Sequence, residues 1–277
     1  MYIMNLVSIL LLLFFIFFSN ASIPIVVLHG IASSAEKMHA FSIWLAQEFN
    51  TDIYNLELGN GEKTSLYTPL TTQLEDLCLS IYDIDALKTG FHFIGMSQGG
   101  LLARGYVERC NLYPVLNLIT MVSPHGGVIE PINPNINMYS PFMQEHFSIA
   151  SYWRNPLLLE EYLNKCSYLP LLNNEKIKLD INEEQKNNLK KLDNFILIWS
   201  PEDDVVDPPE SGKFSFYDAT YEIIPLESTR IYKEDLLGLK YLNENKRLHF
   251  HQTNCTHVEH RDPICYSQIY EILKGYL

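Results

Sequence analysis

Positive charge is scarce in this sequence. Its 277 residues include 20 Lys and Arg against 33 Asp and Glu, which gives a formal net charge of −13. Proteins that bind nucleic acid present clustered Lys and Arg to the phosphate backbone. The charge balance therefore argues against a nucleic-acid partner. The acidic residues are scattered along the chain, which is typical of a solvated protein surface.

Long apolar runs are also scarce. The one such run extends from Leu6 to Phe18, and the small residues Ser19-Asn20-Ala21 follow it. We interpret residues 1–21 as a secretory signal peptide that is cleaved after Ala21. The alternative is an uncleaved anchor, but about 13 apolar residues span only about 20 Å of a bilayer core about 30 Å thick. No later segment is long enough to span a bilayer, so we expect a mature chain without a stable membrane span in the secretory pathway.

Cysteine is present in an odd number. The five cysteines are Cys78, Cys110, Cys166, Cys255 and Cys265. Thiols in the oxidising secretory pathway tend to form disulfides. Because the number is odd, at least one cysteine is free or pairs between chains.

The sequence lacks internal repeats and low-complexity tracts, which excludes repeat arrays. Short apolar runs predict strands at 23–29, 52–58, 91–94, 115–122, 195–199 and 247–252. Apolar residues at helical spacing predict helices at about 35–49, 70–81, 98–110 and 262–277. This alternation predicts an α/β fold with a mostly parallel sheet and helices on both faces.

The alternation stops between about Gly126 and Lys191. This segment is rich in Pro and Asn and contains short helical patterns. We interpret residues 126–191 as an insertion that forms a helical cap on the sheet, not as a separate domain. The mature chain, residues 22–277, is then a single domain.

Residues 95–99 read Gly-Met-Ser-Gln-Gly and fit the pattern G-x-S-x-G. A predicted strand precedes this motif and a predicted helix follows it, which is the context in which the serine is a nucleophile. The turn exposes the hydroxyl at the edge of the sheet, and the glycines allow the close approach of strand and helix. The alternative is a turn serine that only caps the helix. We favour Ser97 as the nucleophile.

A serine hydroxyl needs a general base at neutral pH. In the order Ser, acid, His, the base lies on a loop after the last strand. Four histidines are candidates: His249, His251, His257 and His260. The first two lie within the strand pattern. We favour His257, in the loop before the final helix, and keep His260 as the alternative.

The acid is expected after the preceding strand, at the run Pro-Glu-Asp-Asp-Val-Val-Asp. Four carboxylates compete there: Glu202, Asp203, Asp204 and Asp207. The acid must lie close to the end of the strand to reach the imidazole, which favours Asp203 or Asp204 over Asp207. Its role would be to fix the histidine tautomer and to stabilise the imidazolium.

An oxyanion hole is expected from two backbone N–H groups. One belongs to the residue after the nucleophile, which is Gln98, and the other to the loop after an earlier strand. His29-Gly30-Ile31 follows the first predicted strand, so we expect Ile31 to supply the second N–H.

The sequence resembles the palmitoyl-protein thioesterase family of α/β-hydrolases over nearly all of the mature chain. The segments that carry the resemblance are GMSQGGLLARGYVERC, SPHGGV, SYWRNP, DDVVDPPESGKFSFYDA and PLESTRIYKEDLLGLKYL. The resemblance implies an α/β-hydrolase fold with inserted cap helices. It also implies a lysosomal or secreted serine hydrolase that cleaves long-chain fatty acyl thioesters, with no cofactor and no metal.

The family pattern carries over position by position. It implies Ser97 as nucleophile, Asp203 as acid and His257 as base, with the N–H groups of Ile31 and Gln98 as oxyanion donors. It also implies a disulfide between Cys78 and Cys110. A second family disulfide falls in the insertion, where this chain has Pro, Asn and Tyr instead of cysteines. Cys255 and Cys265 bracket His257, as in the second type of palmitoyl thioesterase, and are expected to pair.

The expected substrate is a fatty acyl thioester, either an S-palmitoylated protein or palmitoyl-CoA. Apolar residues of the insertion are expected to line the acyl groove: Met143, Phe147, Trp153, Leu158 and Leu171. One alternative function is a lipase or carboxylesterase that uses the same triad on oxygen esters. Another is a non-catalytic lipid-binding protein.

Overall fold

The computed structural model describes residues 22–129, 136–176 and 179–277. The signal-peptide prediction for residues 1–21 lies outside the described residues. Within these ranges, no helix is both long and apolar enough to cross a membrane.

The fold is built on a six-stranded parallel sheet. The strands of the chain are β1 (Ile25–Leu28), β2 (Ile53–Leu56), β3 (Phe91–Met96), β4 (Val115–Met121), β5 (Asn194–Trp199), β6 (Phe216–Tyr217), β7 (Ile223–Ile224) and β8 (Leu248–Gln252). The order in the sheet is β2-β1-β3-β4-β5-β8, and every neighbouring pair is parallel. β6 and β7 form a separate antiparallel pair. The predicted α/β architecture is confirmed.

The described α-helices flank this sheet. They are α1 (His39–Phe49), α2 (Glu62–Tyr67), α3 (Leu70–Tyr82), α4 (Gln98–Gly105), α5 (Pro141–His146), α6 (Leu159–Lys165), α7 (Leu169–Leu172), α8 (Glu183–Leu189), α9 (Arg230–Lys233), α10 (Leu239–Glu244) and α11 (Tyr266–Leu273). A π-helical turn, Tyr106–Cys110, continues α4, so the helix predicted at 98–110 is present in two parts.

Both faces of the sheet are covered by apolar side chains. Val26 and Leu28 of β1 join the core that contains α3, whereas Ile25 and Val27 join a second core that contains α1 and α11. Side chains alternate between the faces of a strand, so an uninterrupted apolar run such as Ile-Val-Val-Leu serves both cores. This explains why the β1 sequence shows no polar alternation.

The short elements α2, α9, α10 and the β6–β7 pair were not predicted. Each has between two and six residues. Such short elements show too little of a period to identify, and tertiary contacts stabilise them.

The described part of segment 126–191 is helical, and its buried side chains belong to the core on one face of the sheet. Tyr152, Trp153, Tyr162, Leu169 and Leu172 are at most 5% exposed and share one cluster with Val26 and Phe93. The described part of the segment therefore packs against this face of the sheet.

Candidate active site

Ser97 occupies a strained turn between β3 and α4. Its backbone has φ 55° and ψ −128°, and its N–H donates to the Met121 carbonyl at 2.8 Å. Residues other than glycine adopt positive φ rarely and at a cost, which makes such a position a candidate for function. The side chain is 5% exposed.

The glycines of the motif are required by close contacts. A Cβ at Gly95 would lie 2.6 Å from the Cα of Gly100, and a Cβ at Gly99 would overlap the carbonyl oxygen of His29. Both contacts are with backbone atoms, which cannot rotate away. Strand, turn and helix therefore pack together only with glycine at these two positions.

His257 and Asp203 meet at the carboxyl edge of the sheet, after β8 and β5. The Nδ1 atom of His257 lies 2.9 Å from each oxygen of the Asp203 carboxylate. Both side chains are buried. The Asp203 carboxylate also accepts the N–H groups of Val205 and Val206, each at 2.9 Å. With a proton on Nδ1, the Nε2 atom of His257 carries the lone pair that a general base needs.

No hydrogen bond joins the Ser97 hydroxyl to His257 among the described residues. In free enzymes, such bonds are often long and shorten only when substrate binds.

The other carboxylates of the run have different contacts. Asp204 accepts the backbone N–H of His257 at 3.1 Å, and Asp207 accepts the Tyr217 hydroxyl at 2.8 Å. Glu202 is exposed. The structure therefore brings Asp203 alone of the four to the imidazole of His257.

The remaining candidate histidines have structural partners. The ring of His260 contacts the Thr253 hydroxyl at 2.7 Å and the Thr256 carbonyl at 2.8 Å, and burial lowers its pKa. His249 contacts Asn194 at 2.9 Å and His251 contacts the Tyr276 hydroxyl at 2.9 Å. Burial lowers the pKa of both.

Two backbone N–H groups beside Ser97 have no hydrogen-bond acceptor among the described residues. They are those of Ile31 and Gln98. Gln98 is the first residue of α4, and the first N–H groups of a helix have no partner inside it. An N–H without an acceptor in the protein can donate to a bound oxygen, so this pair is suited to a developing negative charge.

Contacts that the sequence did not predict hold the loops around Ser97. The Gln98 amide donates to the Ser65 carbonyl at 2.9 Å and accepts the Tyr152 hydroxyl at 3.1 Å. Arg261, four residues after His257, donates to the Ser33 hydroxyl at 2.9 Å. These partners are distant in sequence, so no local pattern signals them.

Two disulfides are present, Cys78–Cys110 and Cys255–Cys265, as expected. The second one encloses His257 and fixes the loop that carries it. Cys166 is a free, buried thiol, and burial raises its pKa to about 12.

The residues expected to line the acyl groove lie in different environments. Trp153 is 5% exposed, whereas Leu158 is 42% exposed. Met143 and Phe147 are partly buried, and the Phe147 ring packs edge-on against Tyr67 at 5.6 Å. Leu171 lines a cavity of about 440 Å³ together with Glu108 and Arg109. Their role in binding an acyl chain stays a prediction.

The parallel sheet and the strand–Ser97–helix turn define an α/β-hydrolase. Solved structures share this fold at low sequence identity. Lipase B of Aspergillus fumigatus aligns with a TM-score of 0.52 and 14% identity, over 92% of this chain and 53% of that chain. A monoacylglycerol lipase of Paleococcus ferrophilus aligns with a TM-score of 0.52 and 12% identity, over 91% and 93% of the two chains.

The family is defined by sequence. The family model described as palmitoyl protein thioesterase matches residues 24–257. Palmitoyl-protein thioesterase 3 of Dictyostelium discoideum is 36% identical over 257 residues, which cover 87% of each chain. Lysosomal thioesterase PPT2-B of Xenopus laevis is 32% identical over 237 residues, covering 79% of this chain and 81% of that one. The chain belongs to the palmitoyl protein thioesterase family and is a thioester hydrolase.

Proposed function

We propose that this protein hydrolyses long-chain fatty acyl thioesters with a Ser97–His257–Asp203 triad. The observation that carries the proposal is the contact of the Asp203 carboxylate with His257 Nδ1 at 2.9 Å, on loops that meet at the same edge of the sheet as Ser97. The resemblance in sequence implies the same three residues.

The reaction has two halves. In the first, His257 Nε2 takes the proton of Ser97, whose Oγ attacks the thioester carbonyl. The N–H groups of Ile31 and Gln98 stabilise the resulting oxyanion. The C–S bond breaks, the thiolate leaves with the proton from His257, and an acyl-serine remains. In the second half, His257 deprotonates water, whose oxygen attacks the acyl-serine carbonyl. The C–O bond to Ser97 then breaks, Oγ takes the proton back from His257, and the fatty acid leaves.

The proposed substrate is a palmitoyl thioester of a protein, a peptide or coenzyme A. An acyl chain of about 16 carbons gains about 0.8 kcal/mol for each CH₂ that it buries, so it needs an apolar groove. We place this groove along the cap, residues 126–191, where Met143, Phe147, Trp153, Leu158 and Leu171 are the candidate lining.

We propose that residues 1–21 direct the chain into the secretory pathway and that the mature protein, residues 22–277, is lysosomal or secreted. Two disulfides favour an oxidising compartment. The name of the Xenopus relative includes the word lysosomal, which favours that destination. Fractionation of cells that express the full chain tests this.

Matched substrates test the proposed activity. We expect kcat/KM for a palmitoyl thioester to exceed that for the palmitoyl oxygen ester whose alcohol has the same carbon skeleton as the thiol. We also expect kcat/KM for thioesters to fall as the acyl chain is shortened to butyryl. A preference for the oxygen ester would identify a lipase or carboxylesterase instead.

The nucleophile is tested with Ser97→Ala. The variant is expected to fold and to lose turnover to the level of the Ser97→Ala/His257→Ala double variant, because triad residues act as a unit. A fluorophosphonate should label the parent and not the variant. Absence of label in the parent would favour a non-catalytic lipid-binding protein.

A further inference from the structure

His29, directly after β1, has a contact at each ring nitrogen. Its Nδ1 atom lies 2.9 Å from the Gly30 carbonyl oxygen, and its Nε2 atom lies 2.7 Å from a carboxylate oxygen of Glu57. The residue is 4% exposed. A carbonyl oxygen only accepts, so the ring donates from Nδ1 to Gly30.

Glu57 connects this ring to the far end of the same loop. While one of its oxygens accepts from His29, the other accepts the N–H of Ala35 at 2.9 Å. One carboxylate therefore holds both ends of loop 30–35. Between them, Ala32 has φ 50°, a strained value for a residue with a side chain. A strained loop needs such contacts to keep a single conformation.

The oxygen that His29 binds belongs to the peptide group of the Ile31 N–H. This Gly30–Ile31 peptide bond is trans. In a planar trans peptide, the C=O and N–H bonds point in opposite directions. Because His29 Nδ1 holds the Gly30 oxygen, the Ile31 N–H is fixed on the opposite side of the peptide.

Gly30 is also packed against the serine. A Cβ built on Gly30 would lie 2.8 Å from the Ser97 Cβ and 3.3 Å from its Oγ. The Gly30–Ile31 peptide that His29 orients thus lies beside the Ser97 hydroxyl. The Ile31 N–H has no acceptor among the described residues.

We propose that His29, held by Glu57, is a positioning residue for thioester hydrolysis. It orients the Gly30–Ile31 peptide so that the Ile31 N–H faces the oxyanion. Its hydrogen bond to the carbonyl also polarises the peptide, which strengthens the N–H as a donor. This inference rests on the proposed function, in which the Ile31 N–H is an oxyanion donor.

Two substitutions separate the two ring contacts. In His29→Asn, the side-chain amide nitrogen takes the place of Nδ1 and keeps the donor to Gly30. In His29→Gln, the amide nitrogen takes the place of Nε2 and keeps the contact with Glu57. We expect His29→Asn to retain kcat within about fivefold, and His29→Gln to lose kcat about a hundredfold with little change in KM, as for loss of an oxyanion donor.

A palmitoyl trifluoromethyl ketone provides a readout of the oxyanion site itself, because its adduct with the serine carries the oxyanion. The inhibition constant should rise for His29→Gln by the same factor as kcat falls. Leu273→Ala, at the last residue of α11 and in the second core, is the control for lost stability. It should lower Tm without changing the inhibition constant when assayed well below Tm.

The proposal is overturned if His29→Gln has the inhibition constant of the parent, or if kcat of His29→Asn is as low as kcat of His29→Gln. Should neither variant fold, Glu57→Ala decides, because it removes the His29 contact and the Ala35 contact together. A tenfold rise of the inhibition constant supports the proposal, and no change overturns it. Failure of the proposed function is distinguishable, because Ser97→Ala would then retain the activity of the parent.

Discussion

Asp203 and Asp204 are adjacent, yet they contact different parts of the same histidine. The Asp203 carboxylate holds the ring of His257 at Nδ1, and the Asp204 carboxylate accepts its backbone N–H. Only the first contact determines which ring nitrogen carries the proton. The two residues are therefore a natural matched pair for testing the assignment of the acid.

Asp203→Asn should lower kcat on the order of 10³- to 10⁴-fold, because an amide allows the wrong tautomer of His257. Asp204→Asn should change kcat only a few-fold, since the amide oxygen still accepts the His257 N–H. Steady-state kinetics on a palmitoyl thioester, with Tm of both variants, makes the comparison. The reverse order of effects would assign the acid to Asp204.

At the scale of elements, the junction of β1, β3 and α4 admits no added atoms at Gly99. A Cβ there would overlap the His29 carbonyl, whereas a Cβ at Gly275 would have its nearest contact at 3.6 Å. Replacing either glycine with alanine is the same chemical change, but only Gly275 has room for the added Cβ.

Gly99→Ala should destabilise the protein by about 1–3 kcal/mol through overpacking and should lower kcat, because α4 and Ser97 move relative to the Ile31 loop. Gly275→Ala is the control and should leave kcat unchanged. Thermal unfolding and kcat measure the two effects. Parent-like activity in Gly99→Ala would contradict the tight junction described above.

The loop with His257 is fixed by the Cys255–Cys265 disulfide, which has a sequence separation of 10. Replacing both cysteines with Ser should destabilise the chain by about 3 kcal/mol in the loop-entropy account. It should also lower kcat at temperatures where the variant is folded, because the imidazole gains freedom to move from Ser97. The Cys78→Ser/Cys110→Ser variant, whose disulfide packs against the core on the other face of the sheet from Cys255 and Cys265, should lose stability with less effect on kcat. Equal kcat losses in the two variants would oppose a specific role for the loop.

At the scale of the whole molecule, burial of ionisable groups links stability to pH. His92 lies on β3 and is 6% exposed, and burial lowers its pKa from 6.5 to about 4. Its Nδ1 atom has no partner among the described residues. Between pH 6.5 and 4, the unfolded chain binds a proton at His92 that the folded chain does not bind, so stability is lost as the pH falls.

His92→Gln should therefore flatten the fall in stability between pH 6.5 and 4, where the group accounts for about 3 kcal/mol. Chemical denaturation at a series of pH values measures this slope. His39→Gln, at an exposed position, is the control and should keep the parent slope. An unchanged slope in His92→Gln would mean that other buried groups cause the acid destabilisation.

The sequence by itself determined those parts of the structure whose contacts lie close together in the chain. The strand, the turn and the start of the helix around Ser97 lie within ten residues, and their apolar run and glycines specify that conformation directly. The continuous apolar runs likewise determined a parallel sheet, since only strands buried on both faces tolerate them. Family resemblance supplied the choice of Asp203 and the two disulfide pairings.

Only the tertiary structure decided the contacts between distant residues. Four carboxylates lie within residues 202–207 after β5, and residue chemistry alone left Asp203 and Asp204 equivalent. Folding placed Asp203 on His257, 54 positions away. The same holds for His29, whose partner Glu57 lies on the neighbouring loop 28 positions further on. Local propensity acts over a few residues, whereas the direction of a buried side chain depends on how strands far apart in sequence align in the sheet. The strand register therefore decided which ionisable groups meet.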